Sequence, residues 1–378
     1  MLGEFLLLDY RRDPGLGVFE GRVMYSTSKS RLRRQIAIVI PCYRVRGQIL
    51  DVIAGIGDMV DSIYCIDDKC PEQSGDFIED NCSDPRVRII RHETNQGVGG
   101  ATLTGYRAAL ENGADIIVKI DGDGQMDTGL IELFIAPIAE GNADYTKGNR
   151  FHSFEDTRGM PRMRLFGNAG LSFMTKLSSG YWNIFDPANG YTAIERTLAE
   201  RIVTERVAKR YFFESDMLFY LYLNRAVVVD VPIPSRYGEE VSNLKVRRVF
   251  WSFGYRNLRN MVRRIILHHY LRDFSLASLE FLFGLIALAF GITFGLDRWT
   301  QSMLTGEPAT AGTVMLSAMP IILGVQLCLS ALNYDIQSVP RTVRHPQLRL
   351  LVRRKEQISI AGRAPIEPPR PHQYVRAE

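Results

Sequence analysis

Short apolar runs alternate along the chain with longer stretches in which apolar positions recur every three or four residues. The runs at 36–40 (IAIVI), 62–66 (SIYCI), 87–90 (VRII), 115–120 (DIIVKI) and 226–233 (AVVVDVPI) predict strands. The periodic stretches around 46–60, 98–112 and 129–140 predict helices between them. This alternation predicts an α/β domain with a mainly parallel, Rossmann-like sheet, whose ligands bind beyond the carboxyl ends of the strands. Unusual groups fall at those ends: Pro41 and Tyr43 after the first strand, Asp67 and Asp68 after the second, Asp121 and Asp123 after the fourth.

The pattern changes near the C-terminus. The stretch 274–296 carries one internal charge, Glu280, and 312–334 carries none. As helices each would be about 34 Å long, enough to cross a hydrocarbon core. Arginines crowd the approach (Arg247, Arg248, Arg256, Arg259, Arg263, Arg264, Arg272), and basic residues follow the second stretch (Arg341, Arg344, Arg349, Arg353, Arg354, Lys355). The loop between holds only Asp297, Arg298 and Glu307. This asymmetry predicts a two-helix transmembrane hairpin with the catalytic domain and both termini on the cytoplasmic side. The stretch 246–274 mixes aromatics with arginines and reads as amphipathic helices at the membrane interface. Its basic charge is therefore assigned to lipid headgroups, and no nucleic acid is expected as a partner.

With 378 residues, one large domain with appendages is expected, and the net charge of +4 matters only through its placement beside the spans. Five cysteines without metal-ligand spacing read as thiols in a reducing compartment. The first 34 residues carry no long apolar run before a small-residue cleavage site, so no signal peptide is expected.

The stretch VKIDGDGQMD (118–127) ends an apolar run with Asp121, Asp123 and Asp127. Three carboxylates so close repel one another unless a cation sits among them, so the stretch binds a cation or is a solvated turn. A calcium-binding helix-loop-helix would need glycine at Met126 and a preceding helix, so that reading fails. NQGVGG (95–100) lacks the lysine and hydroxyl of a P-loop and reads equally as a phosphate cradle or as a tight turn. An Asp-x-Asp at a strand end can share one hard divalent ion, which in turn binds a diphosphate.

The ordered set VIPCY (39–43), IDDKCPEQSG (66–75), VRIIRHETNQGVGGATLTGYRAAL (87–110), IDGDGQ (120–125), KGNRF (147–151), DPANGYTAI (186–194) and VPIPSRYGEE (231–240) resembles family-2 glycosyltransferases with the GT-A fold. Within them it is similar to the polyprenyl-phosphate sugar transferases of the dolichol-phosphate mannose synthase type. The resemblance implies an inverting transfer from a UDP- or GDP-sugar to a polyprenyl phosphate, with Mg²⁺ or Mn²⁺ as cofactor. It implies that Pro41, Tyr43 and Asp68 line the base and ribose. Asp121 and Asp123 would hold the metal, with Gln125 beside them. Arg150 would face the acceptor phosphate, Arg236 would contact the diphosphate, and Asp216 would be the catalytic carboxylate. Asp67 is open between a turn carboxylate and a direct role, and Glu214 reads as a solvated helix end. Departures stand at Arg44-Val45, at Thr192 and after Gly238, and they leave the donor base open. Alternatives are a transferase acting on a sugar hydroxyl of a glycolipid or glycan, and a non-catalytic nucleotide-sugar-binding scaffold. A processive polysaccharide synthase is disfavoured because it needs more spans.

The expected organisation is an N-terminal extension (1–34), a GT-A domain (35–241), interfacial helices (242–273), two transmembrane helices (274–334) and a basic, Pro-rich tail (335–378) that is disordered from Ala361. A homo-oligomer packed through Gly284, Gly291 and Gly295 is also expected.

Overall fold

The structure, a computed structural model, describes residues 33–151, 162–234 and 246–347. Seven strands form one sheet: β1 (Ile36–Cys42), β2 (Ser62–Asp67), β3 (Val87–Arg91), β4 (Ile116–Lys119), β5 (Tyr145–Asn149), β6 (Thr192–Glu195) and β7 (Val228–Pro232). Their order is β3-β2-β1-β4-β6-β5-β7, parallel throughout except that β6 runs against β4 and β5. The central strands are buried along their whole length, as expected of a sheet covered on both faces. Alternation along β1 divides the core. Ala37 and Val39 face one layer with α3 (Val98–Glu111) and α7 (Phe213–Leu223), while Ile36, Ile38 and Ile40 face the other with α1 (Ile49–Ala54), α2 (Ser74–Asn81) and α4 (Ile131–Ala139). Helix α3 lies against β1 at Gly105, where a Cβ would come within 2.2 Å of Val39 Cγ1.

The predicted strands at 36–40, 62–66, 87–90 and 115–120, and the strand within 226–233, are all present. So are the three helices, the first trimmed to α1. Strands β5 and β6 have no counterpart among the expectations. Their sequences, YTKGN and TAIE, bury Thr146, Lys147 and Asn149 and so show no apolar alternation. Helix α7 is buried nearly all round, which erases its periodicity.

Two further helices, α5 (Arg162–Ser179) and α6 (Arg196–Ile202), complete the domain. Helix α8 (Val246–Arg264) then continues as a π-helical stretch (Ile265–Arg272). Helices α9 (Leu276–Thr305) and α10 (Ala311–Gln337) follow, with mean hydropathies of 2.1 and 2.0. Both are long and apolar enough to cross a membrane, and they pack on each other as a hairpin. The glycines expected to join copies of the chain are consumed within it. Gly284 meets Gly324 and Cys328, Gly291 meets Ile321, and Gly295 meets Ser317. The physical reason is the close approach these small residues allow between helices, here used intramolecularly.

Asp335, in the last turn of α10, ties the hairpin to the domain. It accepts from Arg264 Nη1 (2.5 Å) and Trp182 Nε1 (2.9 Å) and lies 3.1 Å from His269 Nε2. The chain beyond it is no free tail, at least through Gln347. Ser338 Oγ lies 3.2 Å from Tyr222 OH, and buried His345 lies 3.1 Å from buried Asp144. The extension 1–32, Arg236 and the stretch from Ala361 lie outside the described residues.

Candidate active site

Strand register alone assembles one edge. Cys42 pairs with Asp67, Val39 with Lys119, Lys119 and Lys147 with Thr192, and Asn149 with Pro232. The segments leaving those ends therefore meet: Asp121 to Asp127 after β4, Arg150 after β5, Asn189 to Tyr191 before β6, and Pro234 after β7. They line a pocket of about 120 Å³ that takes in Asp121, Asp123, Gln125 and Arg150. Four of the expected site residues are thus brought together.

Asp121 is half-exposed, and its Oδ1 forms an ion pair with Lys119 Nζ at 2.8 Å. Asp123 Oδ1 accepts from Gln125 N (3.0 Å), which fixes the turn at Gly124, φ +75°. Asp127 accepts from Gly129 N (2.9 Å) and caps the helical turn that follows. Tyr191 floors the pocket by stacking on Phe134 with ring centroids 3.8 Å apart. Gly190 is needed for closeness: a Cβ there would come within 2.5 Å of Lys119 Nζ and 2.7 Å of Asp121 Oδ2. Arg150 is held by Asp186 through Nε (2.8 Å) and Nη2 (3.1 Å), a fork geometry that fixes its guanidinium at the pocket wall.

Beneath this surface lies a charged layer that sequence reading missed. Lys119 Nζ is 3.6 Å from Glu214 Oε1, and Lys147 Nζ donates to Asn189 O (2.5 Å). Burial pulls Lys119 down, but Asp121 and Glu214 outweigh it and hold the ammonium above its ordinary range. Burial draws Lys147 down to about 8, against the opposing pull of Glu214 and Asp186. Burial likewise raises Glu214, even with both ammonium groups near. The available signal was a lysine inside each of two buried strands, where charge is rare unless paired.

Three expectations are corrected. Asp216 does not reach the pocket. Its carboxylate accepts from Ala208 N (2.7 Å) and Asn260 Nδ2 (2.7 Å), fastening α7 to α8. Glu214, two residues earlier and so about 200° round the helix, is the carboxylate that points to the site and is not a solvated end. Asp68 is buried, accepts from Gln96 N (2.8 Å) and Gly97 N (2.7 Å), and lies 2.7 Å from His92 Nδ1. It fixes the start of α3 and is not among the residues lining the pocket. Gly99 and Gly100 N–H both donate to Lys209 O, so NQGVGG is a tight turn. Asp67 is a turn carboxylate, accepting from Cys70 N and Gly75 N, each at 2.7 Å. Pro41 and exposed Tyr43 stay at the end of β1.

The sequence profile of Glycosyl transferase family 2 matches residues 37–203. A UDP-N-acetylglucosamine–dolichyl-phosphate N-acetylglucosaminyltransferase from Methanococcus voltae is 32% identical over 218 residues, 54% of this chain and 86% of that protein. The chain belongs to glycosyltransferase family 2. This family 2 glycosyltransferase is also 26% identical to an undecaprenyl-phosphate mannosyltransferase from Micrococcus luteus, over 53% of its own length and 82% of the relative's. Glucosyl-3-phosphoglycerate synthase from Mycobacterium tuberculosis, solved with Mn²⁺ and UDP, superposes with a TM-score of 0.46 at 18% identity, over 61% of this chain and 80% of that one. The sheet is that of a GT-A fold, and the edge described above is the edge at which this enzyme's pocket opens.

Proposed function

We propose that this glycosyltransferase moves a sugar, with inversion, from a UDP- or GDP-sugar to a polyprenyl phosphate at the cytoplasmic membrane face. The observation that carries the reading is the single pocket uniting Asp121, Asp123, Gln125 and Arg150 on a chain with two helices of membrane-spanning length. The names of the relatives, which act on dolichyl and undecaprenyl phosphates, support the acceptor. The placement of Asp216 supports it too. A hydroxyl acceptor would need a base, whereas a lipid phosphate is already anionic near pH 7.

Asp121 and Asp123 fit a hard divalent ion: they are oxygen donors one residue apart that open on one pocket, beside a glycine that leaves Asp121 Oδ2 clear. Mg²⁺ or Mn²⁺ held there, with Gln125 beside it, supplies charge to offset the departing nucleoside diphosphate. The chain's own residues do the rest. Asp186 orients Arg150 at the pocket wall, where its guanidinium takes an acceptor phosphate oxygen. Lys119, Glu214 and Lys147 keep Asp121 in place from below. Tyr43 and Pro41 offer a surface to the base, and the family resemblance gives Arg236 the contact with the diphosphate. The anionic acceptor oxygen then attacks the anomeric carbon opposite the leaving group, and no proton transfer is required.

The test incubates purified protein with radiolabelled UDP- and GDP-sugars, Mn²⁺ and undecaprenyl phosphate. Label entering the organic phase, abolished by EDTA, is the expected result. Label that appears only with a glycolipid hydroxyl acceptor would overturn the reading.

A further inference from the structure

Glu214 lies in the first turn of α7; at its other end, about 12 Å along the axis, a second pocket opens. It holds about 170 Å³, and Arg225, Arg341 and Arg344 converge on it beside Asp273, His268 and Tyr334. These groups come from three separate stretches: the α7–β7 turn, the end of the π-helical stretch, and the strap that leaves α10. Arg225 is bonded to Asp273, the pocket's one carboxylate. Asp335, close by, is already engaged by Arg264, His269 and Trp182. The side chains of Arg341 and Arg344 make no hydrogen bond or ion pair among the described residues. Burial, with His269, Arg225 and Arg264 nearby, draws His268 down to about 4, so it is neutral at pH 7. Three guanidinium groups thus share a concavity with one carboxylate, an excess of positive charge that attracts an anion.

The chemistry selects phosphate. Guanidinium forks match its oxygens. Position selects a lipid source. Tyr334 stands three residues before the end of α10, so on the membrane reading the pocket lies where headgroup phosphates lie. We infer that this pocket is a phosphate site, separate from the donor pocket, that holds the headgroup of an anionic membrane phospholipid and fastens the strap to the catalytic domain. A free phosphate or the acceptor's own phosphate would offer the same oxygens, so the test must separate the three.

The full chain in detergent is titrated with dioctanoyl phosphatidylglycerol, dioctanoyl phosphatidylcholine, inorganic phosphate and undecaprenyl phosphate. Melting temperature and lipid adducts in native mass spectrometry are read together. Phosphatidylglycerol should raise the melting temperature and form a one-to-one adduct, and phosphatidylcholine should do neither. R341Q/R344Q, changes at two exposed side chains, should need about tenfold more phosphatidylglycerol or above for the same shift. R256Q/R259Q removes the same charge from exposed positions of α8 and should respond as wild type. The site is overturned if R341Q/R344Q responds as wild type, or if R256Q/R259Q loses the response equally, which would mean diffuse attraction. Inorganic phosphate acting as well as phosphatidylglycerol at equal concentration would overturn the lipid assignment. Loss of the undecaprenyl phosphate response in R341Q/R344Q would make the pocket the acceptor site and overturn its separateness.

Discussion

Gly190→Ala adds one carbon at the tightest point of the active site. The new Cβ would come within 2.5 Å of Lys119 Nζ, 2.7 Å of Asp121 Oδ2 and 3.3 Å of Met126 Cε. Ordinary contact is about 3.5 Å, so two charged groups must retreat by roughly 1 Å. Lys119 is buried and held from behind by Glu214, which leaves the half-exposed Asp121 to move. Gly190 is not among the positive-φ glycines, so alanine strains no backbone there, and overpacking should cost the fold about 1–3 kcal/mol. Displacing the carboxylate proposed to hold the metal by that distance should lower kcat/KM by about a hundredfold, or ~2.7 kcal/mol. The assay pairs kcat/KM at saturating Mn²⁺ with Mn²⁺ affinity read by electron paramagnetic resonance. A folded variant within about twofold of wild type in both readings would refute the reasoning, since Asp121 would then tolerate displacement.

Glu214→Gln should lower kcat by about tenfold, because both buried ammonium groups lose a counter-charge beneath Asp121. Asp216→Asn should keep kcat within about threefold while costing about 1–3 kcal/mol of stability through Ala208 and Asn260. The reverse pattern, in steady-state rates and thermal melts, would restore Asp216 to the chemistry. Arg150→Ala should raise the KM for polyprenyl phosphate at least tenfold with the donor KM little changed, and an unchanged lipid KM would count against the acceptor assignment. Burial pushes Asp230 up to about 6, so folding favours its protonated form. Its contribution is present below about pH 4 and is lost as pH rises through 6, up to about 3 kcal/mol. The melting temperature of Asp230→Asn relative to wild type should therefore climb between pH 4.5 and 7.5, and a flat difference would contradict that burial effect.

The strands β1, β2 and β4 were legible because each is a continuous apolar run in a sheet covered on both faces. Strand β5 was not, because Lys147 and Asn149 occupy buried positions that a pattern reader takes for surface. Asp121 and Asp123 could be singled out because their spacing and strand-end position carry a chemical meaning that survives without coordinates, whereas Arg150 came only through the family resemblance. Glu214 and Asp216 could not be told apart, since two residues on a helix point to opposite sides and only packing decides which side faces the site. Asp68 stands next to Asp67 at the right strand end, yet both carboxylates serve local backbone donors, a use that short polar side chains share with binding. The glycines of α9 showed a close helix contact correctly, but whether the partner is the same chain or another depends on tertiary placement.

The most direct measurement identifies both products of one turnover. Wild-type enzyme with a nucleotide-sugar, Mn²⁺ and undecaprenyl phosphate should release nucleoside diphosphate in step with a lipid whose mass is that of undecaprenyl phosphate plus one sugar residue. Asp121→Asn and Asp123→Asn should form neither while remaining folded, because an amide is a poor substitute for an anionic metal ligand. Release of nucleoside monophosphate with a lipid diphosphate sugar, or full activity in both variants, would contradict transfer of a sugar to the lipid phosphate from this pocket.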